Sequence, residues 1–225
     1  MITTVVFDAY GTLFDVTSAA RRAAAEPGGE ALGDAWPRLA ADWRRKQLEY
    51  TWLRTLIGDY ADFATVTADA LDWVLDAHDL TDPALRTRLL GLFDTLLAFP
   101  EAPEVLSNLK ASGYKLAILS NGTPAMLAQA CTAAGIADRF DAVLSVESVR
   151  QYKPVHHIYA LVEARLGAKP AQTLFVSANG WDIAGAAHFG LWTAWVNRDA
   201  APVDRLPQRP AHIVPDLTHL ARLLQ

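Results

Sequence analysis

The chain has 225 residues, of which 52% are hydrophobic and 20% charged, and its formal net charge at pH 7 is −5. This length suits one large domain that carries a smaller insertion, and the composition argues against disorder. The negative charge excludes any general attraction for nucleic acid or for an anionic membrane surface.

The cysteine, histidine and hydropathy patterns exclude further classes of protein. The single cysteine, Cys131, cannot form an internal disulfide, and the six histidines lack the spacing of a zinc site. No run of 18 apolar residues is present, and the first residues have neither the basic segment nor the cleavage site of a signal peptide. We therefore expect a soluble, cytoplasmic protein with no metal site and no cofactor.

The first hundred residues combine one strand with a long helical segment. Thr3–Phe7 is β-branched and apolar, which predicts a strand that ends at Asp8. Between residues 16 and 99, apolar residues recur at helical spacing and no strand pattern is present. Asp82 followed by Pro83 is typical of a helix start. Residues 16–99 are therefore predicted to form an all-helical insertion.

After Pro100, strand and helix patterns alternate along the chain. Near-continuous apolar strands between helices predict a parallel sheet that is covered on both faces, so the fold class is α/β. We expect the sheet and its helices to comprise residues 1–15 and 100–225. The predicted strands are Lys115–Leu119, Ala142–Ser145, Thr173–Val176, Trp192–Val196 and His212–Val214, and the predicted helices are Glu101–Ala111, Thr123–Gly135, Val155–Leu166, Asp182–His188 and Asp216–Leu224.

Polar residues follow three of the predicted strands. They are Asp8, the run Ser120-Asn121-Gly122, and the segment Ser177–Asp182. In parallel sheets the ligand binds beyond the carboxyl ends of the strands, so these residues are predicted to lie together at one site. The free amides of the helix that begins after Gly122 point toward a bound anion.

Each of these positions has a structural interpretation beside a functional one. Asp8 is either a turn residue or a carboxylate nucleophile. Lys153, which precedes a predicted helix, is either solvated or close enough to Asp8 to keep its carboxyl ionised. Ser177, Asn179 and Asp182 either form a turn and a helix cap or position a water molecule and accept its proton.

Five short motifs follow one another along the chain. They are Asp-x-Tyr-Gly-Thr-Leu at 8–13, the arginine-containing stretch 43–54, Leu-Ser-Asn-Gly at 119–122, Tyr-Lys-Pro at 152–154 and Ser-x-Asn-x-Trp-Asp at 177–182. This series resembles the haloacid dehalogenase superfamily, and within it the L-2-haloacid dehalogenases. The resemblance covers essentially the whole chain. It implies a Rossmann-like core with helices on both faces and an all-helical cap insertion after the first strand.

The resemblance also implies a metal-independent reaction. In the family, the carboxylate that matches Asp8 displaces halide from C2 of an L-2-halo acid with inversion, and water hydrolyses the resulting ester to a D-2-hydroxy acid. Arg44, whose other interpretation is a solvated helix face, matches the arginine that contacts the halide. The remaining matches are Thr12, Ser120, Asn121, Lys153, Tyr159, Ser177, Asn179 and Asp182 for catalysis, and Ala9, Tyr10, Arg44, Leu48, Phe63, Ser120, Asn121 and Trp181 for substrate binding.

The choice among reactions rests on the position two residues after Asp8. The magnesium-dependent phosphatases of the superfamily that this chain resembles have a second Asp at that position, whereas this chain has Tyr10. Asp182 and Asn179 also offer fewer carboxylates than a magnesium site usually needs. A phosphatase therefore remains an alternative, as does an azetidine-2-carboxylate hydrolase that uses the same ester route. A non-catalytic binding protein is disfavoured because Asp8 and Asp182 are both present.

The sequence departs from the family pattern at two places. Arg45 stands where glutamine is common, and Val155-His156-His157 replaces a run that usually contains Asp. We expect the two histidines to lie on the surface with no catalytic role.

The predicted partners are a small 2-haloacid substrate, its halide product and a second copy of the chain. The helical insertion carries four tryptophans, which is more aromatic surface than a small insertion buries alone, so a homodimer is expected. These tryptophans are Trp36, Trp43, Trp52 and Trp73.

Overall fold

A six-stranded parallel sheet lies at the centre of the protein, in a computed structural model that describes residues 1–224. The strands are β1 (Thr4–Phe7), β2 (Lys115–Ser120), β3 (Ala142–Ser145), β4 (Thr173–Ser177), β5 (Trp192–Val196) and β6 (His212–Val214). Their order across the sheet is β3-β2-β1-β4-β5-β6, and every neighbouring pair is parallel. The α/β prediction is confirmed, and each predicted strand agrees within one residue at either end.

Helices fill the intervals between the strands. They are α1 (Ser18–Ala25), α2 (Trp36–Ile57), α3 (Phe63–Ala77), α4 (Pro83–Asp94), α5 (Ala102–Ala111), α6 (Pro124–Ala133), α7 (His156–Leu166), α8 (Gly180–Phe189) and α9 (Leu220–Leu223). We call α1–α4, which follow β1, the cap helices. Asp82 caps α4 by accepting a hydrogen bond from the N–H of Ala84, as predicted. Within residues 1–224, no helix has the length and apolarity to cross a bilayer.

The strand order places helices on both faces of the sheet. The chain steps from β1 to β2 to β3 through α5 and α6, and then crosses back to β4 and β5 through α7 and α8. Because crossovers between parallel strands are right-handed, these two pairs of helices lie on opposite faces. The direction of travel reverses around β1, so the ligand crevice is expected beyond the carboxyl ends of β1, β2 and β4.

The hydrophobic core runs from the central strands into the cap helices. β1 and β4 are buried along their whole length, and β2 is buried except at Lys115. Beyond the end of β1, the ring of Tyr10 stacks on Phe93 of α4, with the ring centroids 5.5 Å apart. The same ring lies 5.3 Å from that of Phe63 on α3. The cap helices therefore cover the carboxyl end of β1.

The predicted helix over Asp216–Leu224 is only partly α-helical. A 3₁₀ turn at Leu217–His219 leads directly into the four-residue helix α9. Asp216 caps the start of this segment, because its carboxylate accepts a hydrogen bond from the backbone N–H of Thr218. The other predicted helices of the sheet region agree with the observed bounds within two residues.

Candidate active site

Two carboxylates and one ammonium group form the centre of the crevice. Lys153 Nζ lies 2.8 Å from Asp8 Oδ1 and 2.6 Å from Asp182 Oδ2. Asp8, at the end of β1, is 5% exposed, while Lys153 is 1% and Asp182 0% exposed. Buried charges are stable only when they are paired and hydrogen-bonded. Here two carboxylates pair with the same ammonium group.

The solvated interpretation of Lys153 is wrong. Its backbone N–H donates to Asn121 Oδ1 at 3.1 Å, which ties the segment before α7 to the turn after β2. Its Nζ also donates to the carbonyl oxygen of Leu119 at 2.9 Å. The ammonium group therefore has three acceptors, which is its full donor capacity, and it is fixed in place.

Burial and charge act against each other in this cluster. Burial alone lowers the pKa of Lys153, but the carboxylates of Asp182 and Asp8 outweigh it and the pKa lies above the ordinary lysine value. Burial raises the pKa of Asp182 to about 6, with Lys153 opposing the rise and Asp8 adding to it. Lys153 is consequently protonated at neutral pH, while Asp182 is a stronger base than an ordinary carboxylate.

The second oxygen of Asp8 is held by two neutral donors. Thr12 Oγ1 donates to Asp8 Oδ2 at 3.1 Å, and Asn179 Nδ2 donates to the same oxygen at 2.8 Å. Thr12 Oγ1 is itself fixed, because it accepts a hydrogen bond from the N–H of Ala178 at 2.8 Å. Donors therefore hold both oxygens of Asp8, which fixes the orientation of the side chain that would act as the nucleophile.

Asn179 occupies the capping position of α8 but does not cap it with its side chain. Its backbone carbonyl accepts the first hydrogen bond of the helix, from the N–H of Asp182, so α8 begins two residues before the predicted start. The side chain makes no capping bond and turns toward Asp8 instead. The capping interpretation of Asn179 is therefore wrong for its side chain.

Asp182 is oriented by three donors. Tyr159 on α7 donates its hydroxyl to Asp182 Oδ1 at 2.7 Å, and Ser177 Oγ lies 3.3 Å from Oδ2, which also accepts from Lys153. Burial and the Asp182 charge raise the pKa of Tyr159 well above its ordinary value, so the phenol remains a donor. The carboxylate thus has fixed partners on both oxygens.

Arg44 reaches the site from α2. Its guanidinium donates to Gln47 Oε1 at 2.8 Å, to the carbonyl oxygen of Tyr10 at 3.2 Å and to Asn179 Oδ1 at 3.4 Å. Burial lowers the pKa of Arg44 and the Asp8 carboxylate raises it; the guanidinium stays charged because its ordinary pKa is far above neutrality. Arg44 is half-buried at the site, so the solvated interpretation is wrong.

Donor groups without acceptors collect between the ends of β1 and β2. Within residues 1–224, the backbone N–H groups of Ala9 and Tyr10, the hydroxyl proton of Ser120 and Nδ2 of Asn121 are donated to no acceptor. Gly122 lets this turn approach Tyr10, because a Cβ at Gly122 would lie 2.7 Å from the Tyr10 ring. Such a set of donors suits the carboxylate of a small acid.

The predicted apolar residues have different degrees of contact with this cluster. The rings of Tyr10 and Phe63 are buried against each other, and the half-buried ring of Trp181 lies 5.5 Å from that of Trp52, which is not among the predicted site residues. Leu48 is half-buried and lies one helical turn after Arg44, on the same face of α2.

Two further residues support the site although neither is among the predicted site residues. Gln47, which lies within the 43–54 motif, accepts the shortest hydrogen bond of Arg44, three residues before it on the same helix. Arg198, after β5, donates to the carbonyl oxygen of Thr12 at 3.2 Å and pairs with Glu101 at 2.6 Å. Nothing in its sequence context indicates this contact, because it depends on how a loop returns to the sheet.

The positions that depart from the expected pattern lie outside the cluster. His156 and His157 are exposed, as predicted. Arg45 pairs with Asp42 at 3.1 Å and covers the ring of Trp73 at 5.5 Å, away from Asp8. Among residues 1–224, no group of three or more His, Cys, Asp or Glu side chains is arranged to hold a metal ion. The cationic groups nearest Asp8 are those of Lys153 and Arg44.

Comparisons with known proteins agree with this geometry. A family model for haloacid dehalogenase-like hydrolases matches residues 2–190. The chain is 42% identical to (S)-2-haloacid dehalogenase 1 of Pseudomonas sp. (strain CBS-3), over 97% of this chain and 95% of the relative. It is 47% identical to the (S)-2-haloacid dehalogenase of Xanthobacter autotrophicus, over 88% of this chain and 76% of the relative.

A solved structure is similar over the full length of the chain. The L-2-haloacid dehalogenase from Xanthobacter autotrophicus with chloropropionic acid covalently bound superposes with a TM-score of 0.87. That protein is 40% identical in sequence, and the match covers 100% of this chain and 98% of that one. Sequence motifs, sheet topology and buried charges therefore lead to one assignment: the chain belongs to the (S)-2-haloacid dehalogenases of the haloacid dehalogenase-like hydrolase family.

Proposed function

We propose that this protein hydrolyses short-chain L-2-haloalkanoic acids to D-2-hydroxyalkanoic acids and halide, with inversion at C2. The observation that carries the proposal is the Asp8 carboxylate, buried and held by Lys153, Thr12 and Asn179 beside the donor groups at the ends of β1 and β2. The names of the relatives and the covalently bound chloropropionic acid of a similar structure support the same reaction class.

The first step forms an ester on Asp8. One carboxylate oxygen attacks C2 from the side opposite the halide, the new C–O bond forms, and the C–halogen bond breaks with its electron pair leaving on the halide. Arg44 stabilises the charge that develops on the halide, because a guanidinium presents several donors and needs no proton transfer. The donors of Ala9, Tyr10, Ser120 and Asn121 hold the substrate carboxylate so that C2 faces Asp8.

The second step releases the hydroxy acid. Water attacks the carbonyl carbon of the Asp8 ester and Asp182 accepts the water proton. The bond between that carbon and the ester oxygen then breaks, the oxygen leaves on C2 and takes the proton back from Asp182, and Asp8 is again a free carboxylate. Both Asp8 oxygens have a hydrogen-bond donor, so the one left as carbonyl is stabilised whichever oxygen attacked. Esterification also removes the Asp8 charge that raises the pKa of Asp182, which keeps Asp182 ionised during hydrolysis.

The position of Tyr10 supports dehalogenation over phosphate ester hydrolysis. Burial, together with the charge of Asp94, raises the pKa of Tyr10, so the phenol stays neutral. It cannot replace the carboxylic acid that would protonate the leaving group of a phosphate ester. Lys153 also stands between the two carboxylates that a divalent cation would need.

Separate enantiomers of 2-chloropropionate test the proposed function. With excess chelator present, we expect chloride from the L form alone and D-lactate as the organic product. Azetidine-2-carboxylate is assayed beside them. A phosphate monoester is assayed with added Mg²⁺. Hydrolysis of that ester, with no chloride from either enantiomer, would show that the common chemistry of the superfamily applies instead.

Protonation of Asp182 predicts the pH dependence of turnover. Asp182 must be ionised to accept a proton. The value of kcat is therefore highest above the pKa of Asp182 and falls as the pH drops through that pKa. We expect the acid limb at or below about pH 6, the raised value in the free protein. Tyr159→Phe removes a donor that lowers the pKa of Asp182, so the limb should move to higher pH. A limb that is unchanged in this variant would remove Asp182 from the assigned role.

We further propose a cap domain at 16–99, a catalytic core at 1–15 and 100–225, and a homodimer formed through the cap. Leu56 and Ile57 at the end of α2 are 81% and 72% exposed, Leu53 one turn earlier is 47% exposed, and Trp73 on α3 is 38% exposed. An apolar patch of this kind favours association. Light scattering should give twice the mass of one chain, and Leu56→Asp with Ile57→Asp should give the monomer. A monomeric parent protein at micromolar concentration would contradict the proposal.

A further inference from the structure

A buried polar pair lies between two cap helices. Gln47 on α2 is 1% exposed and Thr67 on α3 is 2% exposed, whereas the other buried residues of the two helices, apart from Thr51, are apolar. Gln47 Nε2 donates to Thr67 Oγ1 at 2.7 Å. A buried amide gains less from such a bond than apolar packing would give, so the pair calls for an explanation beyond stability.

The direction of the hydrogen bonds fixes which way the Gln47 amide faces. Thr67 donates its one hydroxyl proton to the carbonyl oxygen of Phe63 at 2.6 Å, so toward Gln47 it can only accept. Gln47 must therefore turn its NH₂ group to Thr67, which leaves Oε1 facing the guanidinium of Arg44. Arg44 has donors alone, and this oxygen is the acceptor that it requires.

The bond to Gln47 is the shortest tether of Arg44. It measures 2.8 Å, against 3.2 Å to the carbonyl oxygen of Tyr10 and 3.4 Å to Asn179 Oδ1. The Arg44 side chain is long, and without a partner on its own helix it would sample several rotamers. A guanidinium that stabilises a developing charge must already be in place when the charge appears.

We propose that Gln47, oriented by Thr67, is a positioning residue for Arg44 and thereby sets how strongly the rate depends on the leaving halide. This inference rests on the proposed function, in which Arg44 stabilises the departing halide. Chloride is a poorer leaving group than bromide and needs more of that stabilisation. Displacement of the guanidinium should slow chloride release more than bromide release.

The test compares single-turnover halide release from L-2-chloropropionate and L-2-bromopropionate. Thr67→Val keeps the shape of the side chain but removes the acceptor, and Gln47→Leu removes the amide. In both, the ratio of bromide to chloride rates should rise about threefold or more relative to the parent protein. Thr67→Ser keeps the hydroxyl and should restore the parent ratio.

Thr51→Val is the matched control for loss of a buried hydroxyl. Thr51 lies on α2, is fully buried and donates to the carbonyl oxygen of Leu48, with no bond to Arg44 or Gln47. Its ratio should stay at the parent value even if its melting temperature falls. If Thr67→Val does not fold, Gln47→Leu decides. An unchanged ratio in folded Gln47→Leu overturns the inference, whereas a parent protein that releases no halide overturns the proposed function.

Discussion

Asp8→Asn is expected to reduce halide release by at least about 10⁴-fold, because a neutral amide oxygen cannot displace a halide from carbon as a carboxylate does. The substitution keeps the size of the side chain and one acceptor oxygen, and it removes the charge. The test measures steady-state halide release, which reports the chemistry, and the thermal unfolding midpoint of the same preparation, which reports the folding.

The stability of Asp8→Asn separates lost chemistry from lost folding. Asp8 and Asp182 share the single ammonium of Lys153, so removal of one carboxylate charge leaves a matched buried pair. The unfolding midpoint should therefore be unchanged or higher, since like charges in a low dielectric repel each other. A residual kcat of more than about one hundredth of the parent value would assign the nucleophile elsewhere.

Lys153→Met is expected to be the most destabilising single change in the site. It leaves the carboxylates of Asp8 and Asp182 buried without a cation, and loss of one partner from a buried ion pair costs about 3–5 kcal/mol. Halide release should also fall, because the ammonium no longer holds Asp8 in place. Urea unfolding of the variant and of the parent measures the difference in the free energy of unfolding.

The pH dependence of this variant has a definite sign. Burial and the charge of Asp8 raise the pKa of Asp182, and without Lys153 nothing of opposite charge opposes that rise, so the folded state binds more protons than the unfolded chain and its stability falls as the pH rises. Lys153→Met should therefore unfold more easily at pH 8 than at pH 5, and adding Asp182→Asn should recover part of the loss.

Lys46→Met is the control for loss of a lysine. Lys46 pairs with the half-exposed Glu49 at 2.9 Å and lies 4.4 Å from the centre of the Trp73 ring, and an ion pair that reaches solvent contributes about 0–1 kcal/mol. Equal losses in Lys46→Met and Lys153→Met would contradict the assignment of Lys153 to a buried cluster.

The sheet and the grouping of the site residues followed from the sequence because both depend on local patterns. Apolar strands predict a parallel sheet, and the carboxyl ends of such strands converge, which brings Asp8, Ser120 and Ser177 to one edge. The direction of a side chain does not follow from such local patterns. Lys153 has the sequence context of a solvated residue, and its burial depends on the tertiary position of the segment before α7.

Contacts between elements distant in the chain had no local signal. The bond between Gln47 and Thr67 requires the relative register of α2 and α3, which hydrophobic spacing leaves open. Arg198 reaches Thr12 from the loop after β5, 186 residues further along the chain. Among the helices of the sheet region, the last differs most from its prediction because its first turn, Leu217–His219, is a 3₁₀ turn, and the spacing of apolar residues does not distinguish such a turn from an α-helix.

Isotope labelling in H₂¹⁸O tests the covalent role of Asp8 most directly. If the ester forms and water attacks its carbonyl carbon, the hydroxyl oxygen of the first-turnover product comes from Asp8 and is unlabelled. The labelled oxygen should then appear in the peptide that contains Asp8, measured by mass spectrometry after repeated turnover. Label in the first-turnover product, with an unlabelled Asp8 peptide, would show that water attacks C2 directly and would contradict the mechanism.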